Sequence, residues 1–320
     1  MRRAVIDVGS NSVLLTVGDA ISDSATQVGS WQTVFETSAV TALGRGTKET
    51  GLLGENEMTF TLLAVAKGFS DAKSRGATEI VAAATMAARI ATNTPEFLAR
   101  ARAQQTPIHI LSGEQEADLG FLSVAHDPLL AQETLLSIID PGGHSTELVT
   151  AEKIGKEWNI KFRRSFPIGS LGLKGGPLKN ESCGPAEILA ASCMIDDAIG
   201  LCYRRGQAGR AVVLGAAVTN LVSIKERMLI WDAARAHGAY LNFEEISRAV
   251  GELMPMTDQQ RRELVGLEPG REQTIQSGAL IVERFLAAIG VAGCTVSVRG
   301  WRHALLERLD FEPFRAIFAN

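Results

Sequence analysis

The feature that most constrains this 320-residue chain is a repetition of its own opening. Ala4-Val5-Ile6 is a short apolar run closed by Asp7. A turn follows, Val8-Gly9-Ser10-Asn11-Ser12, and then a second apolar run over 13–17. The same order returns at 135–139, closed by Asp140, with the turn Pro141-Gly142-Gly143-His144-Ser145 and another run from Thr146 to Val149. Both stretches read as strand, glycine–hydroxyl turn, strand. The two aspartates stand 133 positions apart, a separation typical of a whole domain. A chain this long needs more than one core. The repeat therefore predicts two α/β domains, 1–124 and 125–300, each opening with a hairpin. A C-terminal helix over about 301–320 is expected to pack back on the first.

Each hairpin is followed by a third strand, at 33–39 and 159–166. In the first half, Met58, Leu62, Val65, Ala66 and Phe69 fall at helical spacing within 55–73. A strand is expected at 80–83, and Thr94-Pro95-Glu96 starts a helix through about Ala103. A strand over 108–111 and a helix over 114–124 complete that half. The second half predicts helices over 185–203, 218–227 and 272–289, and strands over 211–214 and 295–298. Asn242 with Glu245 forms a capping box before a helix over 246–253.

Composition narrows the function. The formal charge of −4 and pI near 5.8 argue against a general nucleic-acid binder, which carries a basic excess. No apolar stretch approaches the roughly 18–20 residues of a membrane span, and Asp7 interrupts any signal-peptide core. A cytoplasmic protein is expected. Cys183, Cys193, Cys202 and Cys294 form no C-x-x-C pair and read as reduced thiols. Glycine is in excess, 31 residues, and gathers in the turns.

A glycine turn between strands aims backbone N–H groups at an oxyanion, and hydroxyls add donors. Two such turns on facing domains would grip adjacent phosphates across a cleft. Asp7 and Asp140, each closing a strand, suit the carboxylate side of a Mg²⁺ site. Taken singly, Asp-x-Gly is ordinary turn chemistry; its repetition favours the functional reading. Between Lys153 and Lys179 stand seven basic residues against the single acid Glu157. They form either a track for a polyanion or a solvated hairpin.

DVGSNS (7–12) and DPGGHSTE (140–147) resemble the two phosphate loops of the Ppx/GppA family of exopolyphosphatases and guanosine pentaphosphate phosphatases. AATMAARIATN (83–93), LSGEQEA (111–117), PIGSLGL (167–173), GREQTIQSGALI (270–281) and VRGWRHALL (298–306) are similar to further family motifs, in order. The resemblance spans the chain and matches short, two-domain members. It implies the actin–Hsp70–sugar kinase superfold, with two ribonuclease-H-like lobes and a cleft between them; with no rigid linker signal between the lobes, closure on substrate is expected. It implies Glu116 as catalytic base, with Glu114 at the surface, and Arg89 as a phosphate-facing guanidinium; Asn93 is a weaker candidate. Asp140 and Glu147 become the metal-proximal pair, with Asp7 beside the ion, which is Mg²⁺ or Mn²⁺. Gly9, Ser10, Asn11 and Ser12 would cradle one phosphate, and Gly142, Gly143, His144 and Ser145 the next, with Thr219 as a further donor. The resemblance also suggests a homodimer.

Three residues depart from the family pattern. His144 replaces a third loop glycine, Val218 replaces a glycine in GAAVTN (215–220), and His303 replaces a frequent acid. The expected activity is Mg²⁺-dependent removal of the terminal phosphate from inorganic polyphosphate, with guanosine pentaphosphate (pppGpp) as alternative substrate. The departures keep open a non-catalytic binder of such polyphosphates. A phosphotransferase or ATPase of the same superfold is a third reading.

Overall fold

The computed structural model describes residues 1–21, 30–200 and 207–307. The chain divides into two compact units, 1–123 with the segment from Trp301, and 124–300.

In the first unit, β1 (Arg2–Val8), β2 (Ser12–Ile21) and β3 (Ser30–Val40) form an antiparallel meander. After it come α1 (Thr47–Thr50), α2 (Glu55–Ser74), β4 (Glu79–Ala84), α3 (Met86–Ile90), α4 (Thr94–Ala103), β5 (His109–Ile110) and α5 (Gly113–Ala125). β4 lies parallel to β1, and β5 parallel to β4, giving the order β3-β2-β1-β4-β5. β1 is apolar on both faces because both are covered. Ala4, Ile6 and Val8 turn towards Met58, Leu62, Val65 and Phe69 of α2. Val5 turns the other way, to Leu111, Leu119, Trp301 and Leu305.

That second face is closed by the helix Trp301–Glu307. Arg302 donates from Nε to Thr16 Oγ1 at 2.7 Å and from Nη2 to Glu36 Oε1 at 3.0 Å. His303 Nε2 lies 3.1 Å from the same oxygen. The histidine that departs from the family pattern is thus part of the helix's attachment. Residues 308–320 of the expected helix lie outside the described residues.

The second unit repeats the plan. β6 (Leu135–Pro141), β7 (Thr146–Ile154) and β8 (Glu157–Phe166) form the meander. They are followed by α6 (Ser170–Gly175), α7 (Pro185–Ile199), β9 (Arg210–Val213), α8 (Gly215–Lys225), α9 (Ala233–Ala236) and β10 (Tyr240–Asn242). Then come α10 (Phe243–Leu253), α11 (Asp258–Arg262), α12 (Ile275–Ile289) and β11 (Gly293–Val296). The order is β10-β11-β9-β6-β7-β8, with β6, β9 and β11 parallel and β10 an antiparallel addition at the edge. Four neighbours, β8-β7-β6-β9, therefore repeat β3-β2-β1-β4.

Local differences have local causes. α7 stops at Ile199 because Gly200 takes φ 61°, a conformation glycine tolerates. The predicted continuation over 201–203, with Cys202, lies outside the described residues. α12 starts at Ile275 rather than 272, and β11 covers 293–296 rather than 295–298. β10 and α11 carry too few residues for a visible period. α11 is nonetheless capped by Thr257, whose hydroxyl accepts from Gln260 N–H at 3.2 Å.

Candidate active site

The sequence repeat is also a repeat of hydrogen bonds. Gly9 N–H donates to Ser12 O at 2.9 Å, and Gly142 N–H donates to Ser145 O at 2.8 Å. Neither turn needs a left-handed residue, since the positive-φ positions lie elsewhere. The glycines are required for room. A Cβ at Gly9 would stand 3.1 Å from Ser12 O, and one at Gly142 would stand 2.9 Å from Ser145 O.

Each turn is then tied to the segment after its own third strand. Gly44 N–H donates to Ser10 O (2.8 Å), and Thr41 and Ala42 donate to Asn11 O (3.0 and 2.9 Å). In the second unit, Ser170 donates to Gly142 O (3.0 Å) and Leu171 to Gly143 O (2.8 Å). Gly169 lies against the Gly143–His144 peptide so closely that a Cβ there would overlap its atoms. His144 is buried and keeps its φ out of the left-handed region. The extra side chain therefore imposes no backbone strain on the loop.

In the first unit Asp7, Ser10, Asn11 and Ser12 are all buried. Ser10 Oγ accepts from Ala87 N–H, in the first turn of α3, at 3.2 Å, which leaves its own proton for another acceptor. Asp7, next to last in β1, is in register with Leu14 and Ala83. Thr85 follows β4, and Leu111 follows β5. All three stand at carboxyl ends of parallel strands, where α/β sheets place their ligands.

Glu116 lies in the first turn of α5. Ser112 and Gln115 exchange bonds at its start, Ser112 Oγ accepting from Gln115 N–H at 3.1 Å and Gln115 Oε1 from Ser112 N–H at 2.8 Å. This capping box holds the turn from which Glu116 projects. Glu114 is exposed, as expected. Arg89 Nη1 donates to Glu116 Oε2 and to Leu111 O, both at 2.8 Å. Through Nη1, Arg89 anchors the glutamate. Burial pushes the Glu116 carboxyl up from its ordinary value against the opposing pull of Arg89. Asn93 bonds both backbone groups of Leu53, at 2.9 and 3.0 Å, so it organises a loop.

In the second unit, strand register forms a row that no local pattern displays. Asp140 pairs directly with Glu147, and Glu147 directly with Ser165. Ser165 Oγ donates to Glu147 Oε1 at 2.6 Å. Gly215, at φ 81°, opens α8 beside this row, and a Cβ on it would stand 3.3 Å from Asp140 Oδ1. Its N-cap, Leu214, offers no side-chain bond, leaving helix N–H groups for an outside acceptor. Val218 has an ordinary helical backbone and sits in the core. The glycine it replaces is not needed there. Thr219 donates to Gly215 O and Ala216 O, at 3.3 and 3.4 Å, so its proton stays within α8.

Among the described residues no three His, Cys, Asp or Glu converge on a metal position; within the second unit Asp140 and Glu147 form a directly opposed pair. The basic stretch is not gathered into one file either. Arg163 and Arg164, consecutive in β8, project to opposite faces. Lys161 pairs with Glu152 at 2.8 Å, and Lys174 donates to Asn180 O at 3.1 Å. Ser165 escaped the sequence reading, and Gly169 and Gly215 lay within quoted motifs but were given no role. Counting back from the β7–β8 turn would set Arg164 opposite Glu147; the bulge between Thr150 and Ala151 shifts the register by one and brings Ser165 there instead.

Comparison with known proteins gives a consistent result. A model of the Ppx/GppA phosphatase family matches residues 21–310. Exopolyphosphatase 2 of Mycobacterium tuberculosis is 26% identical over 309 residues, covering 92% of this chain and 94% of that protein. The guanosine-5'-triphosphate,3'-diphosphate pyrophosphatase of Vibrio cholerae is 27% identical over 311 residues, covering 95% of this chain and 58% of its own length. The crystal structure of the Aquifex aeolicus Ppx/GppA family member is similar with a TM-score of 0.77 at 26% identity, covering 96% of each chain. This likeness identifies the two-unit architecture as the actin-like, ribonuclease-H-like fold.

Proposed function

The chain belongs to the Ppx/GppA phosphatase family, and on that premise we propose that it hydrolyses the terminal phosphoanhydride of inorganic polyphosphate, with guanosine pentaphosphate as alternative substrate. The observation that carries this reading is Glu116, a carboxylate withdrawn from water, held by Arg89 and raised towards the range of a working base. Glu116 takes a proton from water as the water oxygen bonds to the terminal phosphorus. The anhydride P–O bond breaks, and the shortened chain leaves on its bridging oxygen. Arg89 positions the base and tempers its pKa.

The turns serve as the phosphate cradles, Gly9–Ser12 in one unit and Gly142–Ser145 in the other. The uncapped start of α8 adds donors beside Asp140. Asp140 and Glu147 fit a divalent cation, because strand register sets the two carboxylates directly across an antiparallel pair. Their hard oxygens suit Mg²⁺ or Mn²⁺, with water and phosphate oxygens completing the shell. When bound, such an ion neutralises charge on the phosphoryl group. A homodimer, which rests on the family resemblance, and a cytoplasmic location, which rests on the sequence reading, belong to the same proposal.

The test is orthophosphate release from long-chain polyphosphate and from guanosine pentaphosphate, at matched concentration, with Mg²⁺. Glu116→Gln is expected to lower kcat roughly 10²–10⁴-fold, the usual worth of a general base. Wild-type turnover in that variant would overturn the mechanism.

A further inference from the structure

Glu147 is the last residue of the DPGGHSTE motif, and in the sheet its neighbours are Asp140 on one side and Ser165 on the other. A carboxylate that holds a cation must present its oxygens in one orientation, yet a glutamate side chain has three rotatable bonds to restrain. Residues directly opposite across antiparallel strands have Cβ atoms about 4.5–5.5 Å apart, close enough for a hydroxyl to reach the carboxylate. Ser165 does so, donating to Oε1 at 2.6 Å, the short length of a charge-assisted bond.

From this geometry we propose that Ser165 is a positioning residue for the cation. Its hydroxyl commits Glu147 Oε1 and sets the plane in which the carboxylate stands beside Asp140. This inference rests on the reading of Asp140 and Glu147 as cation ligands. It adds that the affinity of that pair depends on a hydroxyl from a third strand. The first unit offers a contrast. There the place of Glu147 is taken by Leu14, opposite Asp7, so no carboxylate needs such support. Groups one step outside a metal's direct ligands commonly change its affinity 10–100-fold when removed.

The experiment is titration of the full-length protein with Mn²⁺ alone, followed by the electron paramagnetic resonance signal of the free ion. In parallel, the Mg²⁺ concentration for half-maximal phosphate release is measured. Ser165→Ala is expected to weaken Mn²⁺ binding about tenfold or more and to raise the Mg²⁺ requirement by a similar factor, while saturating Mg²⁺ restores most of kcat. Ser165→Thr, which keeps the hydroxyl, is expected to bind as the wild type does. Equal affinity in Ser165→Ala and wild type overturns the proposal, as does a loss in Ser165→Thr equal to that in Ser165→Ala. If Ser165→Ala does not fold, Ser165→Cys, of similar size but a poorer donor, is read by the same criteria. A wild-type protein that binds no Mn²⁺ shows failure before any substitution, and the proposed metal role then falls together with this one.

Discussion

Arg89 and Glu116 form an ion pair with Nη1 and Oε2 2.8 Å apart, and only 14% and 11% of the two side chains are exposed. The pair joins the helix after β4 to the helix after β5. Burial raises the carboxyl above its ordinary 4.5, and Arg89 limits the rise. A general base works ionised, so kcat/KM is expected to fall on the acid side around a pH above 4.5. Arg89→Met removes the opposing cation and should move that acid limb to higher pH, with activity at neutral pH falling. A pH profile in which the limb stays put or moves down would contradict the assignment of Arg89 as the restraint on Glu116.

Asp140 and Glu147 act as one unit in the proposed site, and their substitutions should not add. Asp140→Asn and Glu147→Gln are each expected to cost roughly 10²-fold or more at physiological Mg²⁺, within the range seen when a single transition-state contact is lost. The double variant should be scarcely worse than the poorer single one. Phosphate-release rates across the double-mutant cycle provide the check. Strictly additive losses would mean that the two carboxylates work independently.

Glu36 is depressed to about 2. Burial opposes this, but the His303 hydrogen bond, the charges of Arg302 and His303 and the Thr16 hydroxyl prevail. A carboxyl lowered in the folded state stabilises fully above its unfolded value near 4.5. That contribution is lost as pH falls from there towards 2. Glu36→Gln should therefore cost about 2 kcal/mol at pH 7 and lose less stability than wild type between pH 4.5 and 2. Urea midpoints at pH 7 and pH 3 measure the difference. Parallel pH dependence in the two proteins would show that Glu36 does not hold the C-terminal helix.

Gly169 has no room for a side chain against the Gly143–His144 peptide. Gly169→Ala is expected to cost roughly 3 kcal/mol, the upper end of overpacking penalties, because backbone rather than a flexible side chain must yield. Phosphate release should fall with it, since the displaced peptide belongs to the proposed cradle. Calorimetric unfolding with a parallel activity assay tests both. An unchanged melting temperature would refute the account of this contact.

Glu116 was singled out because LSGEQEA resembles a family motif; the residues by themselves offered a strand end and a first-turn acid, and the Ser112–Gln115 capping box came with the structure. The partner of Glu116 was not legible. Arg89 was noticed as a forked cation, but whether it met a phosphate or a carboxylate depended on how β4 and β5 lie side by side. Val218 and Thr219 fall in the expected helix over 218–227, but α8 already starts at Gly215; there the valine packs in the core and the threonine bonds its own helix.

Chain order alone was enough to reveal the duplicated hairpin, the α/β alternation after it and the composition of both turns. Each follows from periodicity or turn chemistry spanning a few neighbouring residues. Strand register, by contrast, is set by partners tens of residues away, and a shift of one position would turn every side chain to the other face. Only the assembled sheet could put Ser165 next to Glu147 and Glu147 opposite Asp140. Only there did Gly215 come to rest against Asp140, and the basic run divide between two faces.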